Sequence, residues 1–508
     1  MDKKYDAIVV GAGVGGLTAA AFMGRAGKKV LVLEQNPHPG GTAWLYSRKG
    51  YNFPMGPLGF SSPSIIKGAL DGLGHGDGFE LKRVRYQARA YDMDVPFSLD
   101  FPGLEKEYTR LFPEEADSVK KFMSDMERIG RAVRDQRNEE DERTAEEAAD
   151  TPASEYMDGL FSDWRIKRFL GSIGTWEPYS SVALLASMWT LMANEGIWFP
   201  LEGLAGLTNR LKKAAESFGA EVMLSSPVEK ILVEDGAVSG VRLRSGELVE
   251  AEAVISNADF KKTFLSLVDA EHLPENLVRD VKEARQTESN LQVSIGIKAE
   301  AADLSAFDRG SRILYRRSGK DAPAPDWEAP EIDPDVLCAR QLEVTLWSND
   351  DPALAPPGGG VLVIRSEAEY SHFVRYRPAW AKRSPEYMPY KMKLAKALVA
   401  EADNVAPGLS DAIDFLDVAT PLTFEERGGR TGGAVAGWSW DFGDGVDSSS
   451  KELVITPVKG LYMAGYQAFS SLFMGGVPTA VESGGRAARA AMDGEGPVDN
   501  MDIPGGKR

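Results

Sequence analysis

The 508-residue sequence contains one cysteine, four histidines and no uninterrupted apolar run of membrane-spanning length. A single thiol, Cys338, excludes an intramolecular disulfide, and no Cys/His cluster has metal-ligand spacing, so we expect a reducing compartment and no metal centre. We interpret Cys338 as structural. The longest apolar stretch, residues 181–199, is interrupted by Asn194, Glu195 and Gly196 and is predicted to be a buried helix.

Positive charge is also scarce. The chain has 58 Lys and Arg against 76 Asp and Glu, a net charge of −18, which disfavours binding to nucleic-acid phosphates. We expect no secretory signal and a cytoplasmic location, because an apolar strand begins at residue 5. The four histidines, predicted in loops or at element ends, are interpreted as surface or structural residues: His38, His75, His272 and His372.

The first 35 residues, in contrast, read as a complete βαβ unit: an apolar strand, a glycine turn, an Ala-rich helix and a second apolar strand. Gly11 permits the tight turn, Gly13 the close approach of a pyrophosphate, and Gly16 close helix packing. Glu34 follows Gly16 by 18 residues, a spacing suited to a carboxylate that binds a ribose. The predicted dinucleotide-binding residues here are Gly11, Gly13, Val14, Gly15, Gly16, Glu34 and Gln35.

A second glycine pair favours FAD over NAD. Gly40 and Gly41, followed by Thr42, lie where many flavoproteins place another turn beside the diphosphate. The segment GYNFPMGP, which contains Gly56 and Pro57, matches a flavoprotein segment that runs under the isoalloxazine ring. An ordinary Gly/Pro loop is the alternative interpretation.

The middle of the chain alternates between helical and strand patterns. The charged run 134–150 is predicted to be a solvated helix or loop, and residues 225–259 a β meander with turns at Gly236 and Gly246. Residues 291–440 are rich in strands, with a long helix near 387–402, and would form a sheet that serves as a substrate wall.

Near the C-terminus, an apolar strand at 461–464 precedes Gly465, and an Ala/Gly-rich helix follows Gly476, Val477 and Pro478. The amino end of such a helix can present backbone N–H groups to the pyrimidine edge of a flavin. Pro478 suits the first helical turn because its missing N–H has no intrahelical partner. The alternative is a plain strand, loop and helix.

These segments together resemble the phytoene desaturase-like flavoproteins over nearly the whole chain. The similarity lies in GIWFPLEGLAGLTNRL, PVEKILVEDGAVSGVRLRSGE, AVISNADFKKTF, NDDPALAPPGGGVLVI and ATPLTFEERGGRTGGAVAGW. Two segments differ: AGYQAFSSLFMGGVP stands where carotenoid desaturases often carry GAGTHPGAGIPGV, and PLEGLAG replaces PKGGMG. Gln467, Phe469 and Phe473 therefore occupy positions expected to face flavin and substrate, and the substrate does not transfer from the family.

The resemblance implies an α/β fold with a Rossmann-like FAD-binding domain of the glutathione-reductase/amine-oxidase type. Residues 1–75, 210–290 and 445–508 would form that domain, and residues 76–209 and 291–444 a mixed-sheet and helical substrate domain. In this architecture Val228 would lie beside the adenine, while Asn257 and Ala258 would close over the nucleotide.

The implied reaction is hydride transfer between flavin N5 and a C–C bond of an apolar isoprenoid, polyene or other lipid, by desaturation, saturation or isomerisation. Tyr466, Gln467 and Glu482 are the candidate polar catalytic groups, with Tyr466 as proton donor or acceptor. An apolar tunnel is predicted from the aromatic and Met side chains of one segment: Trp189, Met192, Trp198 and Phe199. Trp189 and Met192, at helical spacing, could equally be core.

Three alternatives stay open: a flavin amine oxidase acting on C–N bonds, a prenyl or lipid carrier like the GDP dissociation inhibitors, and a redox-neutral isomerase. The electron acceptor or donor would be oxygen, a quinone or a nicotinamide. A lipid substrate implies peripheral membrane contact, for which residues 69–150 could supply a patch. The charge of −18 argues against simple electrostatic adhesion to anionic lipid.

Overall fold

The computed structural model describes residues 5–57, 59–135, 137–174, 177–317, 329–439, 451–470 and 476–504. These residues form two seven-stranded sheets, two small two-stranded sheets and helices that cover them. The strands are β1 (Tyr5–Val10), β2 (Val30–Leu33), β3 (Leu45–Arg48), β4 (Tyr51–Pro54), β5 (Leu81–Arg83), β6 (Tyr86–Ala90), β7 (Met93–Pro96), β8 (Trp198–Pro200), β9 (Glu221–Met223), β10 (Val228–Glu234), β11 (Ala237–Leu243), β12 (Leu248–Ser256), β13 (Ser289–Lys298), β14 (Arg312–Tyr315), β15 (Leu342–Leu346), β16 (Gly359–Ala368), β17 (Ile413–Ala419) and β18 (Leu461–Met463).

The α-helices alternate with these strands and gather in the segment between β7 and β8. They are α1 (Val14–Arg25), α2 (Pro63–Gly72), α3 (Phe101–Leu111), α4 (Ala116–Asp135), α5 (Glu139–Asp150), α6 (Ala153–Leu160), α7 (Trp164–Gly171), α8 (Val182–Thr190), α9 (Gly203–Ser217), α10 (Phe260–Lys262), α11 (Glu275–Glu283), α12 (Pro334–Ala339), α13 (Ser371–Val374), α14 (Tyr387–Ala402), α15 (Leu409–Ala412), α16 (Pro421–Gly428) and α17 (Gly476–Asp493). None of the helices in the described ranges combines the length and the hydropathy that a membrane span requires.

The first sheet has the strand order β10-β11-β12-β1-β2-β9, with β18 also paired to β12. Strands β1, β2, β9, β12 and β18 run parallel, while β10, β11 and β12 form the antiparallel meander that the sequence predicts. Continuous apolar runs make β1 and β2 almost fully buried, as expected of parallel strands covered on both faces. Helix α1 packs against α17 and α9, so both chain ends contribute to one layer.

The second sheet has the order β17-β13-β16-β15-β14-β6-β7. One of its faces is apolar: Leu291, Val293 and Ile364 pack in a core with Leu394 and Leu398 of α14. The alternating residues of β13 and β16 point the other way, toward the first sheet. The long helix predicted near 387–402 is confirmed as α14.

The helices between β7 and β8 have a core of their own, and this is where two of the predicted tunnel residues lie. Trp189 is fully buried and its Nε1 donates to Leu170 O at 2.8 Å. Met192 is buried in the same core, in a π-helical turn that follows α8. The stretch 181–199 is therefore a helix, a π turn and the start of β8 rather than one helix. The charged run 134–150 forms mainly α5.

The expected division into two domains stays a prediction, and one of its boundaries conflicts with the position of a helix. Helix α9 spans Gly203–Ser217 and packs against α1 of the first sheet, so a boundary between residues 209 and 210 would cut through it. We propose a boundary before Gly203 instead. The second sheet then takes up the chain at Ser289, where β13 begins.

Candidate functional site

A cavity lies between the two sheets, at the carboxyl ends of β1, β12 and β18. On the first-sheet side it is lined by the turn before α1, by residues 40–43, 55–57 and 257–259, and by the start of α17. On the other side it is lined by β13, β16 and the region of α16. Ligand sites of open α/β sheets lie at such carboxyl ends.

The turn between β1 and α1 matches the geometry that a bound diphosphate needs. Gly11 has a φ of 101°, and Gly13 caps α1 without any side-chain hydrogen bond, so the first backbone N–H groups of the helix are left for a ligand. A Cβ on Gly16 would overlap Gly11 O, and a Cβ on Gly15 would lie 2.8 Å from Gly465 N. Gly13, Val14 and Gly15 line the cavity, and only glycine fits at positions 15 and 16.

Glu34 closes this turn from the end of β2. The side chain is buried, with Oε2 accepting from Ala12 N and Oε1 from Asn36 N, both at 2.8 Å. Gln35 accepts a hydrogen bond from Lys262 Nζ at 3.3 Å. Glu34, Gln35 and Val228, the first residue of β10, lie outside the cavity-lining residues. They are expected at the nucleotide end rather than at the flavin ring.

The second glycine pair and the GYNFPMGP segment also reach the cavity. Gly40 N donates to Ala12 O at 2.7 Å, which joins the two glycine turns, and Gly40, Gly41 and Thr42 are lining residues. Gly56 and Pro57 line the cavity near them. The first-sheet wall is completed by Asn257 and Ala258, since Asn257 N donates to Val10 O at 2.8 Å.

The C-terminal segment forms the next part of the wall. Gly465, with a φ of 102°, follows β18, and its N–H donates to Ser483 Oγ at 2.9 Å. Gly476 and Val477 bring the start of α17 to the cavity, so two helix amino ends converge there; Pro478 lies in the same turn but does not line it. Phe473 lies outside the described residues.

Two buried polar groups at the cavity have no hydrogen-bond partner among the described residues: Tyr466 OH and Gln467 Nε2. Gln467 is held in place, because its Oε1 accepts from Phe260 N at 2.9 Å and its carbonyl accepts from Trp438 Nε1 at 3.0 Å. Burial raises the pKa of Tyr466, with the nearby Arg430 guanidinium opposing it. Unsatisfied donors of this kind are costly unless a ligand supplies acceptors.

Other expected site residues lie elsewhere. Glu482 is exposed on α17, with Oε1 3.8 Å from Arg489 Nη2, so it is not placed to act at the cavity. Phe469 is also outside the lining residues. Of the predicted tunnel, Phe199 packs on Trp347 with ring centroids 5.3 Å apart, and neither Trp198 nor the core residues Trp189 and Met192 line the cavity. The core alternative therefore describes Trp189 and Met192, and none of the four predicted tunnel residues lines the cavity.

The histidines and the cysteine lie away from the cavity as well. His38 stacks on Trp44 with ring centroids 5.6 Å apart, and His372 is buried with Nδ1 3.0 Å from Glu369 Oε2. Cys338 is buried, and burial raises the pKa of its thiol to about 12. No group of acids, histidines and cysteines within the described ranges is arranged to hold a metal ion.

The second-sheet wall contains polar residues that the sequence analysis did not single out. Asn290 and Gln292 from β13 and Arg365 from β16 line the cavity. The alternation of polar and apolar residues in LQVSIGIK is the signal that could have revealed this polar face. Beside them Arg430 donates to Thr42 Oγ1 at 2.7 Å and stacks over the Tyr466 ring at 5.1 Å.

Asp259 ties this wall to the first sheet. Its Oδ1 accepts from Thr431 Oγ1 at 2.6 Å and from Lys262 N at 3.0 Å. The glycine turns that admit no Cβ, the two helix amino ends and the unpartnered Tyr466 and Gln467 groups fit an FAD as the ligand of this cavity.

Comparison with known proteins agrees with this geometry. A family profile described as flavin containing amine oxidoreductase matches residues 14–299, more than half of the chain. The all-trans-retinol 13,14-reductase of Danio rerio is 25% identical over 95% of this chain and 86% of its own length. The prolycopene isomerase of Daucus carota is 25% identical over 92% and 77%. The phytoene desaturase of Phycomyces blakesleeanus is 26% identical over 85% and 76%.

Solved structures share the fold. An oxidoreductase from Methanosarcina mazei superposes with a TM-score of 0.63 at 17% identity, covering 95% of this chain and 99% of its own. A putrescine oxidase variant gives 0.59 at 15% identity, covering 97% and 100%. The expected α/β fold, the FAD cofactor and the oxidoreductase class are confirmed. The chain belongs to the flavin containing amine oxidoreductase family.

Proposed function

We propose that this FAD-dependent oxidoreductase moves hydrogen to or from a C–C bond of an apolar, isoprenoid- or polyene-like lipid. The observation that carries the proposal is the cavity between the sheets, where the glycine turns and helix ends of the FAD side face a separate wall from β13, β16 and α16. The relatives named above act, by their names, on retinol, prolycopene and phytoene. Desaturation, saturation and isomerisation are the three forms of this chemistry.

We propose the following cofactor contacts. The diphosphate lies on the turn before α1 and the second glycine pair, the ribose on Glu34, and the isoalloxazine between residues 56–57 and the start of α17. The residues assigned to the cofactor are Gly11, Gly13, Val14, Gly15, Gly16, Glu34, Gln35, Gly40, Gly41, Thr42, Gly56, Pro57, Val228, Asn257, Ala258, Gly465, Tyr466, Gly476, Val477 and Pro478.

When bound, the flavin supplies hydride acceptance and donation at N5. The side chains of the chain then orient the substrate, exclude water and handle the proton. Tyr466 is our candidate for the proton donor or acceptor, since its hydroxyl is buried at the cavity and has no hydrogen-bond partner among the described residues. Gln467 Nε2 is a candidate hydrogen-bond donor to the flavin or the substrate.

The charge of the cavity argues against an amine substrate. Arg365 and Arg430 both line it, and a protonated amine would be repelled by two nearby guanidinium groups. Asp259, the acid among the lining residues, is already engaged by Thr431.

The test is an absorption spectrum of the purified protein followed by an anaerobic substrate panel. We expect flavin bands and bleaching or reoxidation by polyenes but not by amines. Bleaching by amines alone would overturn the proposal, and a protein without flavin bands even after FAD is added would favour a lipid carrier. A product of unchanged mass that forms only with reduced flavin would identify isomerisation. Oxygen, a quinone and a nicotinamide would be compared as electron partners in the same assay.

We also propose contact with an anionic bilayer through residues 375–396, called here the basic segment, rather than through residues 69–150. The basic segment contains seven Lys and Arg and one Glu, which gives it a charge of +6 in a chain whose net charge is −18. Trp380 and Met388 are exposed there, at 63% and 51%. Exposed Trp flanked by basic residues is typical of a membrane-interfacial surface.

The basic segment is joined to the cavity wall. Arg377 pairs with Glu425, and Arg383 Nη2 lies 2.8 Å from Glu426 Oε2; both acids are on α16. Phe424 of that helix lines the cavity. A bilayer docked on the basic segment would therefore hold lipid next to the site.

A further inference from the structure

The cavity wall formed by the second sheet is polar where a hydrocarbon substrate would favour an apolar one. Asn290, Gln292 and Arg365 face the cavity, whereas Leu291 and Ile364, their neighbours in the strands, face the core beneath α14. Strand pairing places Gln292 directly opposite Arg365. A hydrocarbon seated against these groups would remove their contact with water and offer no hydrogen bond in return, which is unfavourable.

Arg365 is held in a fixed orientation by two hydrogen bonds. Its Nε donates to Gln292 Oε1 at 2.8 Å, and its Nη2 donates to Gly56 O at 2.6 Å. Its Nη1 lies 3.8 Å from Glu343 Oε1, beyond hydrogen-bond distance. Nη1 is thus an ion-pair neighbour of Glu343 but donates no hydrogen bond to a described residue, so it can donate one to a ligand oxygen.

Arg365 and Arg430 are the cations among the cavity-lining residues and Asp259 is the acid, so the lining carries a net positive charge. Glu343 is the nearest acid to Arg365; burial raises the pKa of its carboxyl, and the Arg365 and Arg312 guanidinium groups oppose that shift. Burial lowers the pKa of Arg365, and among its charged neighbours Arg312 and Arg430 act in the same direction. Arg312 is paired with Asp350. Glu288, the residue before β13, and Glu367, on β16, are exposed, so solvent screens them.

We propose that Arg365, supported by Gln292 and Asn290, binds a carboxylate on the substrate, so that the substrate is an apolar chain with an acid group. This inference rests on the proposed function, because it assumes that the lipid lies against the flavin in the same cavity. Met55, Phe424 and Val435 supply apolar lining for the hydrocarbon part of the substrate. A planar guanidinium fork matches a carboxylate better than an alcohol or a hydrocarbon end.

The experiment titrates the oxidised holoenzyme with three C20 polyenes that differ only in their end group: retinoic acid, retinol and the corresponding hydrocarbon. Binding is read from the change in flavin absorbance and, independently, by calorimetry. We expect wild type to bind the acid at least about tenfold more tightly than the alcohol. Loss of a buried charged partner should weaken acid binding about 100-fold in Arg365→Met and leave alcohol binding nearly unchanged.

Two further variants keep the result interpretable. Gln292→Glu places a carboxylate where the Gln292 amide oxygen lies, 2.8 Å from Arg365 Nε, and should also weaken acid binding. Because this variant keeps the buried guanidinium, it tests the inference even if Arg365→Met does not fold. Arg279→Met removes an exposed guanidinium from α11, outside both the cavity lining and the basic segment, and should change nothing.

Equal binding of acid, alcohol and hydrocarbon by wild type would overturn the inference and leave the proposed function standing. A changed flavin midpoint potential with unchanged acid affinity in Arg365→Met would overturn it too, because Arg365 would then act on the cofactor. Absence of flavin from the purified protein would instead contradict the proposed function, and calorimetry would still report whether the acid is preferred.

Discussion

Tyr466 is the residue whose role can be tested most directly. Its hydroxyl is buried at the cavity, and burial raises its pKa above the ordinary value of 10, so the phenol stays protonated through neutral pH. As a proton donor it is competent below that raised pKa and fails only as the pH rises through it. We expect Tyr466→Phe to lower kcat about 100-fold from pH 6 to 9, as measured by anaerobic single-turnover flavin kinetics.

Tyr462→Phe is the matched control for this substitution. Tyr462 lies four residues earlier, is equally a buried phenol, and donates to Glu495 O at 2.9 Å away from the cavity. It should lose some stability and keep its turnover. Wild-type turnover across pH in Tyr466→Phe would remove Tyr466 from the mechanism.

At the scale of elements, the crossing of α1 and α17 holds the two helix amino ends together at the cavity. A Cβ on Gly484 would overlap Gly15 O, whereas a Cβ on the adjacent Gly485 would find only ordinary contacts, the nearest at 3.7 Å. We expect Gly484→Ala to destabilise the protein by about 1–3 kcal/mol, since packed helices must separate. Thermal unfolding and release of FAD on dilution would both report it.

Gly485→Ala provides the comparison on the same helix. With room for the methyl group, it should be neutral or stabilising by about 0.5–1 kcal/mol, because glycine in a helix interior is entropically costly. Equal stability and equal FAD retention in the two variants would show that the crossing does not depend on the close approach at Gly484.

At the scale of the whole molecule, the charge distribution is uneven. Because the protein carries a net charge of −18, it has to meet an anionic surface through the basic segment. In that segment Arg377 stacks on the Trp380 ring at 5.0 Å, and Lys393 and Lys396 are exposed. We expect flotation with vesicles of phosphatidylserine and phosphatidylcholine at low salt, declining as ionic strength rises. Lys393→Glu/Lys396→Glu should lower partitioning at least about tenfold, since each basic residue contributes about 1 kcal/mol.

Trp380→Ala should weaken the same partitioning without changing its salt dependence. Leu248→Ala, at another exposed apolar side chain (64%), serves as control and should float like wild type. If wild-type protein failed to float, or if both alanine variants lost binding equally, the basic segment would not be a membrane contact. If the basic segment bound an acidic protein but no vesicles, its partner would be a protein rather than a bilayer.

Much of the fold could be predicted from local pattern. The βαβ unit, the meander with turns at Gly236 and Gly246 and helix α14 follow from short-range periodicity and glycine spacing, which depend on backbone geometry that neighbouring residues set. The FAD cofactor followed from the same signals. The glycines that have no room for a Cβ can also be recognised in this local pattern, although the atoms that exclude the Cβ can lie far along the chain.

The substrate side of the cavity depended on the tertiary structure. Trp189, Met192 and Phe199 have the composition of a tunnel and of a core alike, and only their packing places them in the core. Glu482 lies on the helix that reaches the cavity but on its exposed face. Arg365 and Gln292 are 73 residues apart and became a pair only because β13 and β16 align in register. Contacts of this range are set by which strands pair and in what register, which no local pattern encodes, and they decide which face of the substrate wall carries charge.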